Sequence, residues 1–277
     1  MKMRVLSLVL GAFVASVVPA VPSFAAVIAS SGFNDASGLN GDATPGSPYT
    51  IGQTVDGRGV GEPGWGTPWA VSQGGAVGGG EFARVLSEAA KEGDGGLQLE
   101  PNPTFGTTRA LRGLAQGQSR QFSIEQDLNF VAAGELYSEP GQGGEGGEGI
   151  RTGPEWRITG SAGNRHFEVA DGIGDQFEHW EDTGIAQLPG QWQHVVLDVN
   201  VAAQTWTFAV DGVTYNSPDP LGFRGQPARI DYVDYLSTSS GYIDSVVIQG
   251  VPEPGVAGLG LVIVARHLSR RRRHRHG

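Results

Sequence analysis

The sequence contains no cysteine. Disulfide bonds and a thiol nucleophile are therefore excluded, and stability has to come from a packed core or from a bound ion. The chain also lacks a Gly-x-Ser-x-Gly elbow and a glycine-rich loop followed by Lys-Ser or Lys-Thr. Without these patterns, neither a serine nucleophile nor a phosphate-binding loop is indicated.

Basic residues are scarce between the two ends of the chain. Residues 26–250 keep 11 Lys and Arg against 28 Asp and Glu, once Lys2, Arg4, six arginines of the tail and Glu253 are set aside. The resulting net charge near −17 opposes binding to nucleic acid or to an anionic membrane surface. Calcium, or a neutral or cationic polymer, suits such a surface better.

The N-terminus has the pattern of a secretory signal peptide. Lys2 and Arg4 form a short positive region, and residues 5–18 form an apolar one. Ser23 and Ala25 then offer small side chains at the two positions that a signal peptidase reads. The sequence therefore predicts export, with residues 1–25 removed by signal peptidase and Ala26 as the new N-terminus. A retained membrane anchor is the alternative.

The C-terminal residues 251–277 have three parts in a fixed order. Val251, Pro252, Glu253 and Pro254 come first, and the two prolines hold the backbone extended. An uncharged run over residues 255–265 follows, whose helical length of about 16 Å is roughly half of a bilayer core. The cluster Arg270, Arg271, Arg272 and Arg273 comes last and resists translocation. This order predicts a membrane-sorting tail, and a disordered basic tail is the alternative.

The tail resembles the PEP-CTERM sorting signal of exosortase substrates. Those proteins end in a Val-Pro-Glu-Pro motif, a transmembrane helix and an arginine cluster, and the match covers residues 251–273. Here the apolar segment is shorter than is usual in the family, and Arg266 and His267 interrupt it. The resemblance implies cleavage by an exosortase-type protease near residues 251–254, a transient membrane contact, and delivery to the cell envelope, cell surface or extracellular matrix.

Strand patterns dominate residues 26–250, and helical periodicity is nearly absent. Apolar side chains alternate with polar ones over residues 120–130, 193–201 and 205–215, so that each segment presents one apolar face. The members of these faces are Phe122, Ile124 and Leu128, then Val195, Leu197, Val199 and Val201, then Trp206, Phe208 and Val210. Asp211-Gly212 predicts a tight turn, and Ser245 a bulge in the last strand. Residues 156–159 and 166–169 predict a further hairpin.

This middle region resembles concanavalin A-like and laminin-G-like jelly rolls. The resemblance lies in Trp192-Gln193-His194-Val195, in the aromatic strand of residues 206–212 that ends in Asp-Gly, and in the closing strand of residues 243–248. It implies an all-β, concanavalin A-like jelly-roll β-sandwich over residues 26–250, and it implies fold more than activity.

Three tryptophans are the candidate ligand contacts. Trp65 and Trp69 lie in a Pro/Gly-rich stretch, and Trp180 lies in the predicted strand of residues 177–181. An indole ring can stack on the C–H face of a sugar, so these residues point to an extracellular polysaccharide as partner. Burial in the core is the alternative for each of them.

Catalytic carboxylates are less clearly indicated. Glu125 and Asp127 have the alternating spacing of a glycosidase acid pair, but Asn129 stands where a third acid is expected. Glu178 and Glu181-Asp182 have the wrong parity for a shared face, and His194 is better explained as a strand residue. We therefore expect a polysaccharide-binding protein rather than an enzyme. The alternatives are a secreted glycoside hydrolase or polysaccharide lyase with a diverged acid pair, and a passive structural matrix protein.

Calcium is the cofactor that the acidic turns favour. Asp171 and Asp175 flank a glycine-containing turn, and a loop near the first strand contains Asn34, Asp35, Asn40 and Asp42. Carboxylate and amide oxygens on loops are the ligands that calcium prefers. The same residues are also common in ordinary turns, which is the alternative.

Overall fold

The computed structural model describes residues 25–33, 49–73, 76–77, 80–93, 95–131, 134–143, 152–161, 163–172, 179–217 and 219–251. Residues Ala25–Val251 form one compact unit. Nearly all of the predicted signal peptide, and the sorting tail from Pro252 onward, lie outside the described residues. Within the described ranges, no helix has the length and apolar character needed to cross a membrane.

The described residues form 17 strands and two short 3-10 turns, Gly80–Phe82 and Ser87–Ala89. In chain order the strands are β1 (Ala26–Ser31), β2 (Ala70–Gln73), β3 (Ala76–Val77), β4 (Ala83–Leu86), β5 (Gly96–Leu99), β6 (Thr108–Gln118), β7 (Gln121–Phe130), β8 (Leu136–Ser138), β9 (Trp156–Ser161), β10 (Asn164–Ala170), β11 (Trp180–Ala186), β12 (Gln193–Asn200), β13 (Thr205–Val210), β14 (Val213–Thr214), β15 (Leu221–Gly222), β16 (Ile230–Ser237) and β17 (Gly241–Gly250).

The strands form two antiparallel sheets. The nine-stranded sheet has the order β14-β13-β12-β7-β17-β5-β4, with β1 added to β17 and β15 to β13. The eight-stranded sheet has the order β11-β10-β9-β8-β16-β6-β2-β3. This two-sheet antiparallel sandwich confirms the predicted all-β fold, which resembles the concanavalin A-like jelly roll.

The core lies between the two sheets and contains the apolar faces that the alternation predicts. Leu197 and Phe208 are fully buried and stand opposite each other on β12 and β13. The Phe208 ring lies 5.9 Å from that of Trp156 on β9 and 5.7 Å from that of Phe167 on β10. Rings from both sheets therefore meet in one cluster, which joins the two layers.

Local backbone features also agree with the sequence. Asp211 and Gly212 both have positive φ, 50° and 77°, as a tight hairpin turn between β13 and β14 requires. Ser245 has φ 52°, at the register shift between Asp244 and Val247 that marks the predicted bulge in β17. At its far end β17 pairs with β1, with Ala26 opposite Gly250.

Candidate functional site

One row of side chains crosses the eight-stranded sheet on the face turned away from the core. Strand register places its members on six successive strands, from β6 through β16, β8, β9 and β10 to β11. We call them the outer row: Arg109, Leu236, Tyr137, Arg157, Glu168 and Asp182. Their strand neighbours Leu136, Ile158 and Phe167 are buried in the core, so the row lies on the opposite face. At about 4.8 Å between strands, the row is about 24 Å long.

An aromatic and guanidinium cluster forms the centre of this face. The guanidinium carbon of Arg157 lies 4.1 Å from the centroid of the Trp180 ring and 5.8 Å from that of Tyr137. The rings of Trp180 and Tyr137 are 6.1 Å apart and stand edge-on. All three side chains are half-buried, so parts of two aromatic rings and of a cationic group are presented together.

Glu168 fixes Arg157 from the next strand. Arg157 donates from Nε to Glu168 Oε2 at 2.7 Å, and its Nη2 lies 2.5 Å from the same oxygen. The other oxygen, Oε1, lies 3.2 Å from Nε2 of His166. Burial works against the charged guanidinium, but the hydrogen bond and charge of Glu168 outweigh it and the pKa of Arg157 is raised. The Arg157 guanidinium thus stays protonated and is held in one orientation. The carboxylate of Glu168 balances most of its charge.

Glu135 fixes Tyr137 in a similar way. The Tyr137 hydroxyl donates to Glu135 Oε2 at 2.5 Å, and Thr159 Oγ1 donates to Glu135 Oε1 at 3.0 Å. Burial and the hydrogen bond to Glu135 raise the pKa of Tyr137 to about 12. The phenol is therefore protonated at neutral pH, its proton points to Glu135, and its oxygen also accepts a hydrogen bond from Arg157.

A second arginine–carboxylate pair lies further along the outer row. Arg109 donates from Nε to Asp234 Oδ2 at 2.7 Å and also from Nη2, and the backbone N–H of Glu139 donates to Asp234 Oδ1 at 2.9 Å. Burial raises the pKa of Asp234 to about 7, and the Arg109 guanidinium limits that rise. Both arginines of the outer row are therefore paired with carboxylates.

No protein-family model matches the chain, and no curated protein matches it. Among solved structures it is similar to the alginate lyase Aly36B, a mutant in complex with alginate trisaccharide, at 13% identity and TM-score 0.49, covering 82% of this chain and 100% of that one. It is also similar to domain 4 of AbnA, a GH43 arabinanase from Geobacillus stearothermophilus in complex with arabinotriose, at 14% identity and TM-score 0.45, covering 81% and 92%. A sialidase matches at 15% identity and TM-score 0.45 over 65% of this chain, which spans 16% of that protein. These likenesses concern the fold.

Trp65 and Trp69 are core residues, with 8% and 1% of their surface exposed. Trp65 Nε1 donates to the Ser30 carbonyl at 2.9 Å, and Trp69 Nε1 donates to the Tyr49 hydroxyl at 3.0 Å. The buried guanidinium of Arg112 lies over both rings, 4.5 Å and 5.6 Å from their centroids. A ring enclosed in this way has no free face for a sugar, so the interpretation of Trp65 and Trp69 as ligand contacts is wrong. Of the three predicted tryptophans, Trp180 alone lies at the outer row.

The predicted acid pair Glu125 and Asp127 lies on the other sheet, on the outer face of β7. Asp127 Oδ1 accepts a hydrogen bond from Lys91 Nζ at 2.7 Å and lies 2.9 Å from Nδ1 of His194. Only 5% of the Asp127 side chain is exposed. Glu125 Oε2 lies 3.7 Å from Nε2 of His194, the ring nitrogen that does not contact Asp127. Asp127 is thus bound within an ion-pair network rather than presented to a substrate.

Among the residues predicted to bind calcium, the structure describes Asp171 and none of the others. Asp171 Oδ1 accepts the Gly222 N–H at 2.9 Å, which ties the end of β10 to β15. Asp175, like Asn34, Asp35, Asn40, Asp42 and Glu178, lies outside the described residues. In the part of the chain that the structure describes, no group of three or more His, Asp or Glu side chains is placed to hold a metal ion. Calcium stays a prediction.

Apart from Trp180, the central residues of the site were not identified from the sequence. Arg157 and Thr159 alternate with buried Trp156 and Ile158 on β9, and His166 and Glu168 alternate with buried Phe167 and Val169 on β10. That alternation predicts a hairpin with a polar outer face, and it is the one signal that pointed to these side chains. Their convergence depends on the pairing of β9 with β8, which local sequence does not specify.

Proposed function

We propose that this chain is an exported protein, sorted by an exosortase-type protease to the cell envelope or extracellular matrix, that binds extracellular polysaccharide on the outer row. The observation that carries the proposal is the cluster of Trp180, Arg157, Tyr137 and Glu168. A sugar presents C–H groups on its ring faces and hydroxyls at its edges. The cluster offers the matching groups, namely aromatic surface, guanidinium N–H donors, and carboxylate and phenol acceptors.

The shape of the row favours an extended ligand. Its side chains follow one another on six neighbouring strands over about 24 Å, which is long enough for several units of a linear chain. The rigid sheet fixes these groups before a ligand arrives, which lowers the ordering cost of binding. A polysaccharide lying across the strands therefore fits the row better than a small compact molecule does.

The hydrogen bonding favours binding over catalysis. A base drawn from this cluster has to be deprotonated, but the Tyr137 phenol has a pKa raised to about 12. Glu168 is paired with Arg157, and Glu135 accepts two hydrogen bonds from neutral hydroxyls. These contacts support a lectin-like role more than a hydrolase or lyase.

The test is a glycan array with the compact unit, residues 26–250, as wild type, Trp180→Ala and Tyr242→Ala. Tyr242 is the matched control, because it is a half-buried aromatic residue on the outer face of the other sheet. We expect retention on at least one linear polysaccharide, a loss of about tenfold or more in affinity for Trp180→Ala, and little change for Tyr242→Ala. Equal losses in both variants, or none in Trp180→Ala, would contradict the proposal. Shortened chains recovered after incubation would support the enzyme instead.

A further inference from the structure

The charge of Arg157 is taken up by Glu168 before any ligand arrives. Nε and Nη2 of Arg157 are both directed to one oxygen of Glu168, and the two side chains are only 20% and 16% exposed. We infer that Glu168 sets the charge class of the ligand, so that the outer row accepts uncharged chains and rejects chains of uronic acids. This inference rests on the proposed polysaccharide-binding function and names the ligand class for the same site.

The pairing leaves Arg157 a donor but removes most of its net charge. A guanidinium carries five N–H groups, and Glu168 engages those of Nε and Nη2 on one side. Tyr137 is a second hydrogen-bond partner of the guanidinium. The N–H groups that neither Glu168 nor Tyr137 engages suit sugar hydroxyls, which need a donor but no charge. A ligand carboxylate at the same place would lie a few ångströms from Glu168, where like charges repel strongly in a partly buried site.

The other charged residues of the described row also disfavour a negatively charged ligand. Arg109, its other arginine, is paired with Asp234. Asp182 continues the row beyond Glu168, and 60% of its side chain is exposed. Glu135 adds a carboxylate under Tyr137. Each guanidinium of the row is therefore matched by an acid, and the carboxylates of Glu168, Asp182, Asp234 and Glu135 outnumber the guanidinium groups. His166 Nε2 lies 3.2 Å from Glu168 and 3.9 Å from Asp182, between these two acids.

The test compares ligands that differ only in charge. Cellohexaose is paired with a β-1,4-glucuronan hexasaccharide, and β-1,4-mannohexaose with a β-1,4-mannuronan hexasaccharide, so that each pair differs only in oxidation at C6. Affinities are measured by calorimetry for wild type and Glu168→Gln. We expect wild type to prefer the neutral member by about tenfold or more, and the ratio of uronate affinity to neutral affinity to rise by about tenfold in Glu168→Gln, whatever the change in affinity for the neutral member itself.

Asp198→Asn is the matched control. Asp198 is an exposed carboxylate on β12 of the other sheet, so its replacement changes the net charge by the same amount but leaves the row intact. An equal gain toward uronates in Asp198→Asn and Glu168→Gln would show a general charge effect and overturn the inference. Thermal unfolding of each variant checks that it is folded.

A measurement on wild type does not depend on any variant. If Arg157 presents a net positive charge, uronate binding strengthens when the salt concentration is lowered, since fewer ions screen the attraction. We expect no such strengthening. Equal wild-type affinities for the two members of a pair overturn the inference about ligand charge. They leave the proposed polysaccharide-binding function standing. If neither wild type nor Glu168→Gln binds any of the four probes, the inference is overturned, and the glycan array decides the proposed function separately.

Discussion

Two aspartates lie where a negative charge is costly. Asp234 on β16 and Asp244 on β17 are 1% and 0% exposed. Burial raises the pKa of Asp244 to about 6, although the backbone N–H groups of Glu92, Lys91 and Ser245 lower it in part. Burial raises the pKa of Asp234 to about 7 in spite of Arg109, while Glu139 adds to the rise. In the unfolded chain both carboxyls titrate near 4.

These two groups predict that the protein is more stable in mild acid than at alkaline pH. A carboxyl whose folded pKa is raised contributes stability that is fully present below its unfolded pKa and is lost as the pH rises through its folded pKa. For Asp234 and Asp244 the free energy of unfolding therefore falls between about pH 4 and pH 7. Urea unfolding of wild type, Asp234→Asn and Asp244→Asn at several pH values checks this. We expect a shallower pH dependence in both variants and an unchanged one in Asp198→Asn.

Local sequence does not distinguish the three candidate tryptophans from one another. Trp65, Trp69 and Trp180 share a polar, glycine-containing sequence context, and the expectation of a sugar contact applied to all three. Arg112, which covers Trp65 and Trp69, lies more than 40 positions further along the chain on β6. Only the tertiary fold separates the enclosed rings from the ring at the outer row.

At the scale of strands, the sequence predicted the nine-stranded sheet best. The period-two alternation is clearest in β12 and β13, where one face of each strand is buried and the other is partly exposed. In β7 the buried Gln126 interrupts the apolar face, and Asp127 is buried on the other face. Short-range turn chemistry at Asp211-Gly212 also fixed the register of β13 with β14. The eight-stranded sheet was harder, since β8 pairs with β16 about 100 residues away and that partnership leaves no local pattern. The site lies on this second sheet, which is why Arg157, Tyr137 and Glu168 were missed and only Trp180 was predicted.

Leu197→Ala and Phe208→Ala should each destabilise the domain by about 2–5 kcal/mol. Both side chains are fully buried and face each other across β12 and β13, so each replacement leaves a cavity in the core. Chemical denaturation measures the loss. Val213→Ala on β14 is the control, because that side chain is 58% exposed and should change stability by less than about 0.5 kcal/mol. Losses as small as the control at both core positions would contradict the assignment of these faces.

At the scale of the whole molecule, we predict two cuts, one after Ala25 and one near residues 251–254. The described unit ends at Val251, which is 43% exposed, so the chain beyond β17 starts at the surface. Replacing Arg270, Arg271, Arg272 and Arg273 with Ser should release unprocessed protein, because the stop to translocation is removed. Replacing Glu253 alone should leave the protein membrane-held but uncut.

Intact mass spectrometry of the envelope form decides the processing prediction. The expected mass corresponds to a chain that begins at Ala26 and ends within residues 251–254. A mature protein that still carries the arginine cluster would refute the sorting-signal interpretation. The sandwich itself would be unaffected by that result, since none of its described strands extends beyond Gly250.

The pairing of Ala26 with Gly250 has a mechanical consequence. A force that pulls the two ends of the domain apart breaks the β1–β17 pairs one after another, starting from the pair of Ala26 and Gly250. The resistance is then set by single backbone hydrogen bonds, each worth about 0.5–1.5 kcal/mol net. A pull on the N-terminus is therefore opposed by one β1–β17 pair at a time rather than by the whole strand.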